Sequence, residues 1–342
     1  MLEGSAPFRG LPSYDVRVEI SPPALAWPPG VDGAARADLA ARADILLASS
    51  GLPDGIQRWA PSLHLPLAAR LAAQARALGR TLVVGVQGAQ GSGKTTAASA
   101  LKTLLEGLFD VRCAAISIDD FYLRKEERAR LASEVHPLFR TRGVPGTHDV
   151  TLALATFDRL AALPAGATMR LPAFDKAIDD RMPEDRWPVI RGPVDVVLFE
   201  GWCVGVSPMP EAELALPVNA LEREEDPDGR WRTAIREALA GPYRALFARL
   251  DRLVVFQAPS FDVVLGWRRE QERALRRVRG SDAGMDDEAL VRFVAHYERV
   301  TRWAMVDLPR RADVLVRLDA SRVPIAIEAR GSFHAEEGER GR

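Results

Sequence analysis

Hydrophobic positions are spaced in two ways along this chain. From Ala34 to Ala48, alanine and leucine alternate with arginine and aspartate at helical spacing, and the pattern returns over 66–78, with Leu67, Leu71 and Leu78 on one face and Gly79 as a stop. Beyond Gly79 the apolar residues gather into short runs: LVVGV from Leu82, AAISI from Ala114, VDVVLF from Val194, RLVVF from Arg252 and DVLVRL from Asp313. Their length, their valine and isoleucine content and the helix-patterned stretches between them predict buried parallel strands joined by crossover helices. Helices are predicted over 94–108, 149–163, 260–278 and 286–304. The last has Asp286 as N-cap, with Met285 and Leu290 placed for a hydrophobic staple. The segment up to about Gly30 is rich in proline and glycine and reads as loop, and the polar stretch from Glu328 reads as a frayed tail.

Composition adds bounds rather than direction. The chain has 342 residues, 47% apolar and 27% charged, enough to bury a sizeable core. With 46 basic and 47 acidic side chains the formal net charge is -1, so no global field draws the protein to nucleic acid or to a membrane, and an anionic ligand must be met locally. Cys113 and Cys203 each lie among apolar residues and read as buried free thiols. No leader-like N-terminus and no apolar window of membrane-spanning length stands out, so the expectation is a cytoplasmic protein.

The strongest chemical signal is GAQGSGKT from Gly88 to Thr95, which matches the P-loop pattern and follows a valine-rich run directly before a helical pattern. Phosphates need a concave ring of backbone N–H groups, and the glycines at 88, 91 and 93 permit that backbone. Gly88, Ala89, Gln90, Gly91, Ser92, Gly93, Lys94, Thr95 and Thr96 are therefore the expected nucleotide contacts. Lys94 should neutralise the β and γ phosphates, and the Thr95 hydroxyl should ligate Mg²⁺.

The class of nucleotide-binding protein depends on what faces the γ-phosphate. The AAISI run ends at Asp119 in SIDDFYL, at the C-terminal end of a core strand, where open α/β sheets collect their ligands. A carboxylate there can take the proton of an attacking hydroxyl and help hold the metal, while Asp120 also reads as a turn cap. Glu200 ends VDVVLF and suits a role at the Mg²⁺, with an ordinary strand-end acid as the alternative. Trp202 reads equally as core or substrate wall. In RGVPGTHD, Arg142 and His148 are donors for an anionic acceptor, and Asp149 reads as either an N-cap or a substrate contact. In PAFDKAIDDR, Asp175, Lys176 and Arg181 can reach the acceptor or the γ-phosphate, with an ordinary solvated charge run as the alternative. Arginines at 268, 269, 273, 276, 277 and 279 form a run in which Glu272 and Arg276 have i,i+4 spacing, as on a solvated helix face.

SIDDFYL after a P-loop resembles the uridine kinase, pantothenate kinase and phosphoribulokinase group. With RGVPGTHD, PAFDK and LFEGW, the chain resembles the D-glycerate 3-kinase-like branch of that group over roughly residues 66–324. The resemblance implies that Asp119 is the general base, that Tyr122 of the following aromatic pair belongs to the acceptor side, and that the arginine-rich helix is a lid. Arg276 and Arg277 are the lid arginines expected to cross the phosphates. PAFDKAIDDR departs from the longer glycine-bearing segment of the group, which leaves the alignment of Asp180 and Arg181 open.

Together these readings predict an α/β P-loop kinase fold with five parallel strands in the order 2-3-1-4-5. Residues 1–80 form an N-terminal loop and helical extension. Residues 81–326 form the core, with an acceptor-binding insertion at about 120–192 and a lid at about 261–284, and 327–342 form a disordered tail. The expected activity is transfer of the γ-phosphoryl group of ATP, with Mg²⁺, to a small hydroxy acid such as D-glycerate. A uridine- or pantothenate-type kinase and a P-loop regulatory ATPase without a small-molecule acceptor are the alternatives.

Overall fold

The computed structural model describes residues 23–53, 55–279 and 284–331. Its centre is a sheet of β1 (Leu82–Gly88), β2 (Cys113–Ser117), β3 (Val196–Gly201), β4 (Arg252–Gln257), β5 (Val314–Leu318) and β6 (Pro324–Ala329), in the spatial order β6-β5-β4-β1-β3-β2. The first five strands are mutually parallel wherever they pair, and β6 adds to β5 antiparallel at one edge. β6 runs across the boundary expected between core and tail at residue 326, because Ile327 and Glu328 pair with Val316 and Leu315. Residues 332–342 of the expected tail lie outside the described residues, as do residues 1–22.

The continuous apolar runs are explained by burial on both faces, since alternate residues of a strand point to opposite sides. Val84 and Val86 of β1, Leu198 of β3, Val254 of β4 and Val316 of β5 share one core with Leu47 of α1 (Gly33–Ala48), Leu67 and Leu71 of α2 (Leu65–Leu78) and Leu101 and Leu104 of α3 (Lys94–Phe109). Ile116, Val197, Phe199 and Val255 face the opposite core. There they meet Phe157 of α5 (Val150–Ala161), Ile235 of α6 (Arg230–Ala240) and Val300 of α8 (Asp287–Asp307). Two of the longer helices, α6 and α4 (Lys125–Glu134), and the short Ile56–Trp59, Ala220–Glu225 and Pro242–Phe247 are not among those predicted from the spacing of apolar residues. α4 is mostly charged, and its buried Arg128 fills a place that a hydrophobicity reading leaves blank.

The helical extension is packed as part of the first core. Arg70 of α2 is buried and donates to the carbonyls of Ala26 at 2.6 Å and Trp27 at 3.1 Å, tying the extended entry segment to the helix. Gly79 ends α2 in the left-handed region at φ 64°. Asp286 caps α8 by accepting the Ala289 N–H at 2.8 Å, and Met285 and Leu290 belong to the same hydrophobic cluster. Cys113 and Cys203 are buried free thiols, the first pushed up to about 12 by burial. Among the described residues no helix is long and apolar enough to cross a membrane.

Strand register brings the functional segments to one edge. Glu200 of β3 lies beside Val86 of β1 on one side and Ser117 of β2 on the other. The loop after β1, the end of β3 and the turn after β2 therefore open at the same end of the sheet.

Candidate active site

The loop between β1 and α3 begins at Gly88, where a Cβ would come within 2.3 Å of the Ser92 hydroxyl. Gly91 has φ 80°, and a Cβ there would approach Cβ of Trp267, on α7 (Asp262–Arg279), to 2.6 Å. Gly93 precedes α3 at φ 89° and supplies no capping side chain, so the N–H groups of the first turn remain available to an anion. Arg322 fastens the outer rim of the loop by donating to the Gly91 carbonyl at 2.6 Å, with its guanidinium over the Trp267 ring. The buried Ser92 hydroxyl and the Gln90 amide have no hydrogen-bond partner among the described residues, which suits a loop built to meet polar oxygens. Ala89 is buried and Thr96 half-buried beside them.

Thr95 Oγ1 donates to Glu200 Oε1 at 3.0 Å, and Lys94 Nζ lies 4.0 Å from Oε2. Glu200 is buried, yet its Oε2 accepts no hydrogen bond among the described residues. A hydroxyl and an under-coordinated carboxylate beside a phosphate loop are oxygen donors of the kind a Mg²⁺ ion takes.

The turn after β2, Ile118–Phe121, divides its two carboxylates between two tasks. Asp120 turns back and accepts the Ser117 N–H at 3.1 Å, and burial raises its carboxyl to about 6. Asp119 faces the cleft. Tyr122 Oη donates to its Oδ1 at 2.9 Å and Lys176 Nζ to its Oδ2 at 2.6 Å. Burial pushes the Asp119 carboxyl up, but the Lys176 ammonium, helped by Lys94, outweighs it and holds the group far below the usual carboxylate range.

These groups line one cleft of about 1060 Å³, large enough for a nucleotide tail and a small acceptor together. Lys94, Thr95, Asp119, Tyr122, Arg142, Asp175, Lys176, Glu200 and Trp202 all reach it. Trp202 is buried in the wall and donates to the Gly143 carbonyl at 3.2 Å, so it is at once core and cleft lining. The insertion supplies the opposite wall through a short hairpin, Phe174–Asp175 against Asp180–Arg181. Arg128 and Arg142 hold this hairpin, each pairing with Asp179 and each lying over the Phe174 ring.

Other residues expected at the site stand elsewhere. His148 is buried behind Tyr122, stacked on its ring at 4.5 Å, and does not line the cleft. Gly146 N–H donates to Tyr243 Oη, which lies 2.6 Å from His148 Nδ1; a Tyr243 proton directed there makes His148 the Nε2–H tautomer. Burial lowers His148 to about 4, so it is neutral near pH 7. Arg181 is also buried, donating to the Tyr122 carbonyl and to Asp149, each at 3.1 Å. Asp149 caps α5 by accepting the Leu152 N–H at 2.9 Å. His148, Arg181 and Asp149 thus form a buttress behind Tyr122 rather than a contact surface.

Among the described side chains of α7 the arginine that reaches the cleft is Arg268, paired with Glu272 at 2.6 Å, not Arg276 or Arg277. Arg276 donates to the Met285 carbonyl, and Arg277 is exposed. Gly280 of the expected lid lies outside the described residues, while Gly284 is at the cleft. Sequence reasoning also passed over Arg140, Phe293 and Tyr297, which line the same cleft. Helical spacing inward from Leu290 offers a signal for Phe293 and Tyr297, but nothing in the sequence separates Arg268 from its five neighbours in the run.

No family model matches the chain. A D-glycerate 3-kinase of Arabidopsis thaliana chloroplasts is 34% identical over 223 residues, 63% of this chain and 46% of the plant protein, so the chain spans about half the length of that relative. An uncharacterized kinase of Schizosaccharomyces pombe is 34% identical over 229 residues, covering 64% of this chain and 79% of the yeast protein. A solved D-glycerate 3-kinase from Cryptococcus neoformans superimposes with a TM-score of 0.65 at 25% identity, covering 79% of this chain and 99% of that one.

Proposed function

Because the chain belongs to the D-glycerate 3-kinase-like branch of the P-loop kinases, we propose that it transfers the γ-phosphoryl group of ATP to a hydroxyl of a small hydroxy acid, with D-glycerate, giving 3-phosphoglycerate, as the acceptor. The observation that carries this reading is the position of Asp119 across one cleft from Lys94 and Thr95, with an insertion hairpin closing the side where an acceptor would lie. A regulatory ATPase can use a carboxylate to orient water, but it has no need of a walled space beyond the phosphates.

Phosphoryl transfer asks the protein for positioning and charge more than for covalent chemistry. The P-loop N–H groups and Lys94 would hold the phosphates, and Asp119 would orient the acceptor hydroxyl and receive its proton. Thr95 and Glu200 would hold Mg²⁺, which when bound supplies positive charge to the phosphate oxygens. Tyr122, fixed from behind by His148, keeps the Asp119 carboxylate in one orientation. Arg268 adds a cation at the lid side of the cleft.

Acceptor identity is tested by measuring phosphorylated product and ADP with D-glycerate, L-glycerate, glycerol, uridine and pantothenate offered separately. The proposal expects D-glycerate to have the highest kcat/KM. Preferential phosphorylation of uridine or pantothenate would replace it, and ADP formation indifferent to every acceptor would favour the regulatory ATPase.

A further inference from the structure

Each oxygen of the Asp119 carboxylate carries a donor from the protein itself. Tyr122 holds Oδ1 and Lys176 holds Oδ2, and although each oxygen keeps a lone pair, the carboxylate is a weak base while its donors are paired with it, so displacing one of them favours proton transfer from a substrate hydroxyl. The two are not equally replaceable. Tyr122 is 2% exposed and lies between the His148 and Phe174 rings, whereas the Lys176 side chain is 60% exposed and belongs to the small insertion hairpin. Water can rehydrate the exposed ammonium, but an anion beside it draws it off the carboxylate more strongly. The phosphates have the P-loop and Lys94, while Arg128 and Arg142 are already committed to Asp179.

Resting on the kinase reading above, we propose that Lys176 masks the base until the carboxylate of the acceptor draws its ammonium away, so that one lysine both recognises a hydroxy acid and exposes Asp119 to its hydroxyl. Once Lys176 has moved, the acceptor O–H proton passes to Asp119 Oδ2. The acceptor oxygen bonds to the γ-phosphorus, and the bond from that phosphorus to the β,γ-bridging oxygen breaks, leaving ADP. A water molecule carries no carboxylate and draws the ammonium off less strongly, which suppresses ATP hydrolysis while the acceptor site is empty. A neutral polyol is disfavoured for the same reason.

The test measures ADP and phosphorylated acceptor separately for wild type, Lys176→Met, Lys176→Arg and the double variant Asp119→Asn/Lys176→Met, with D-glycerate, with glycerol and without acceptor. Lys176→Met should raise acceptor-free ADP formation roughly tenfold or more and narrow the D-glycerate preference over glycerol in kcat/KM by about ten- to a hundredfold, the range of one charge-assisted hydrogen bond. Lys176→Arg should return both toward wild type, and the double variant should abolish the rise. Acceptor-free turnover at or below wild type in Lys176→Met overturns the mask, as does a rise that survives Asp119→Asn. An unchanged glycerate preference overturns the acceptor's part and assigns its carboxylate to another cation, such as Arg140. If wild type phosphorylates no acceptor, the kinase reading fails, while the acceptor-free rates still decide whether Lys176 masks Asp119.

Discussion

Thr95 and Glu200, 105 residues apart in sequence, meet through a 3.0 Å hydrogen bond at the point where β3 passes the P-loop. The contact is fixed by strand register, because Glu200 lies next to Val86, two residues before the loop begins. The buried Glu200 carboxylate also keeps one oxygen free of protein donors among the described residues. Glu200→Gln should therefore raise the Mg²⁺ concentration needed for half-maximal activity and lower kcat by about ten- to a hundredfold, through loss of charge where phosphate charge is balanced. A Mg²⁺ titration at saturating ATP checks this. An unshifted titration would return Glu200 to the role of a strand-end acid.

Lys94→Ala should abolish transfer while leaving thermal stability near that of wild type. Lys94 lines the cleft, and at 4.0 Å from Glu200 its ammonium is beyond hydrogen-bond distance, so removing it breaks no bond that holds the fold. A loss of at least about a hundredfold in kcat is the scale expected when a charge that stabilises the transition state is removed. A melting curve run beside the assay separates this from unfolding.

Arg268, Arg276 and Arg277 give a direct comparison along one helix. Arg268→Ala should lower kcat about tenfold or more, because its guanidinium reaches the cleft, whereas Arg277→Ala removes an exposed charge and should have little effect. Parallel steady-state assays decide between them. A larger defect at Arg277 would show that α7 reorganises on closure and brings a different face to the phosphates.

The strand ends were legible in the sequence because they combine two independent signals, a buried β run and a polar residue directly after it. Asp119 and Glu200 both stand out in this way. The back wall was not legible. His148 and Arg181 look like anion ligands in one dimension, and only the stacking of His148 on Tyr122 and the bond from Arg181 to the Tyr122 carbonyl make them supports. Arg142 reaches the cleft as expected, but Asp179 already holds it, a long-range pairing that local spacing does not encode. β6 escapes notice for a different reason: as an edge strand it buries only part of its length, and its short apolar run opens on Pro324 and ends at Glu328.

Acid should weaken the fold through His64, which is buried in the first core away from the cleft. Burial lowers its pKa from 6.5 to about 4. Above pH 6.5 the group is neutral in both folded and unfolded chains. As pH falls from 6.5 toward 4 the unfolded chain gains a proton that the folded one refuses, so stability falls by up to about 3 kcal/mol and then levels off. Urea midpoints at pH 7 and pH 4.5 for wild type and His64→Leu measure this contribution. The variant should lose less stability on acidification, and equal losses would mean that other groups govern the acid limb.

The two carboxylates of SIDDFYL allow the sharpest comparison, since they are adjacent in sequence and opposite in orientation. Asp119→Asn keeps the size of the side chain and its bond from Tyr122 but cannot take a proton. It should lower kcat by about a hundred- to ten-thousandfold with little change in the KM for ATP. Asp120→Asn keeps an acceptor oxygen for the Ser117 N–H and should leave kcat within a few-fold of wild type. Single-turnover phosphoryl transfer at saturating ATP and D-glycerate, compared across wild type and both variants, reads the step itself. A collapse at Asp119 alone is the expected result; equal transfer rates in wild type and Asp119→Asn would remove Asp119 from the chemistry and with it the proposed arrangement of the site.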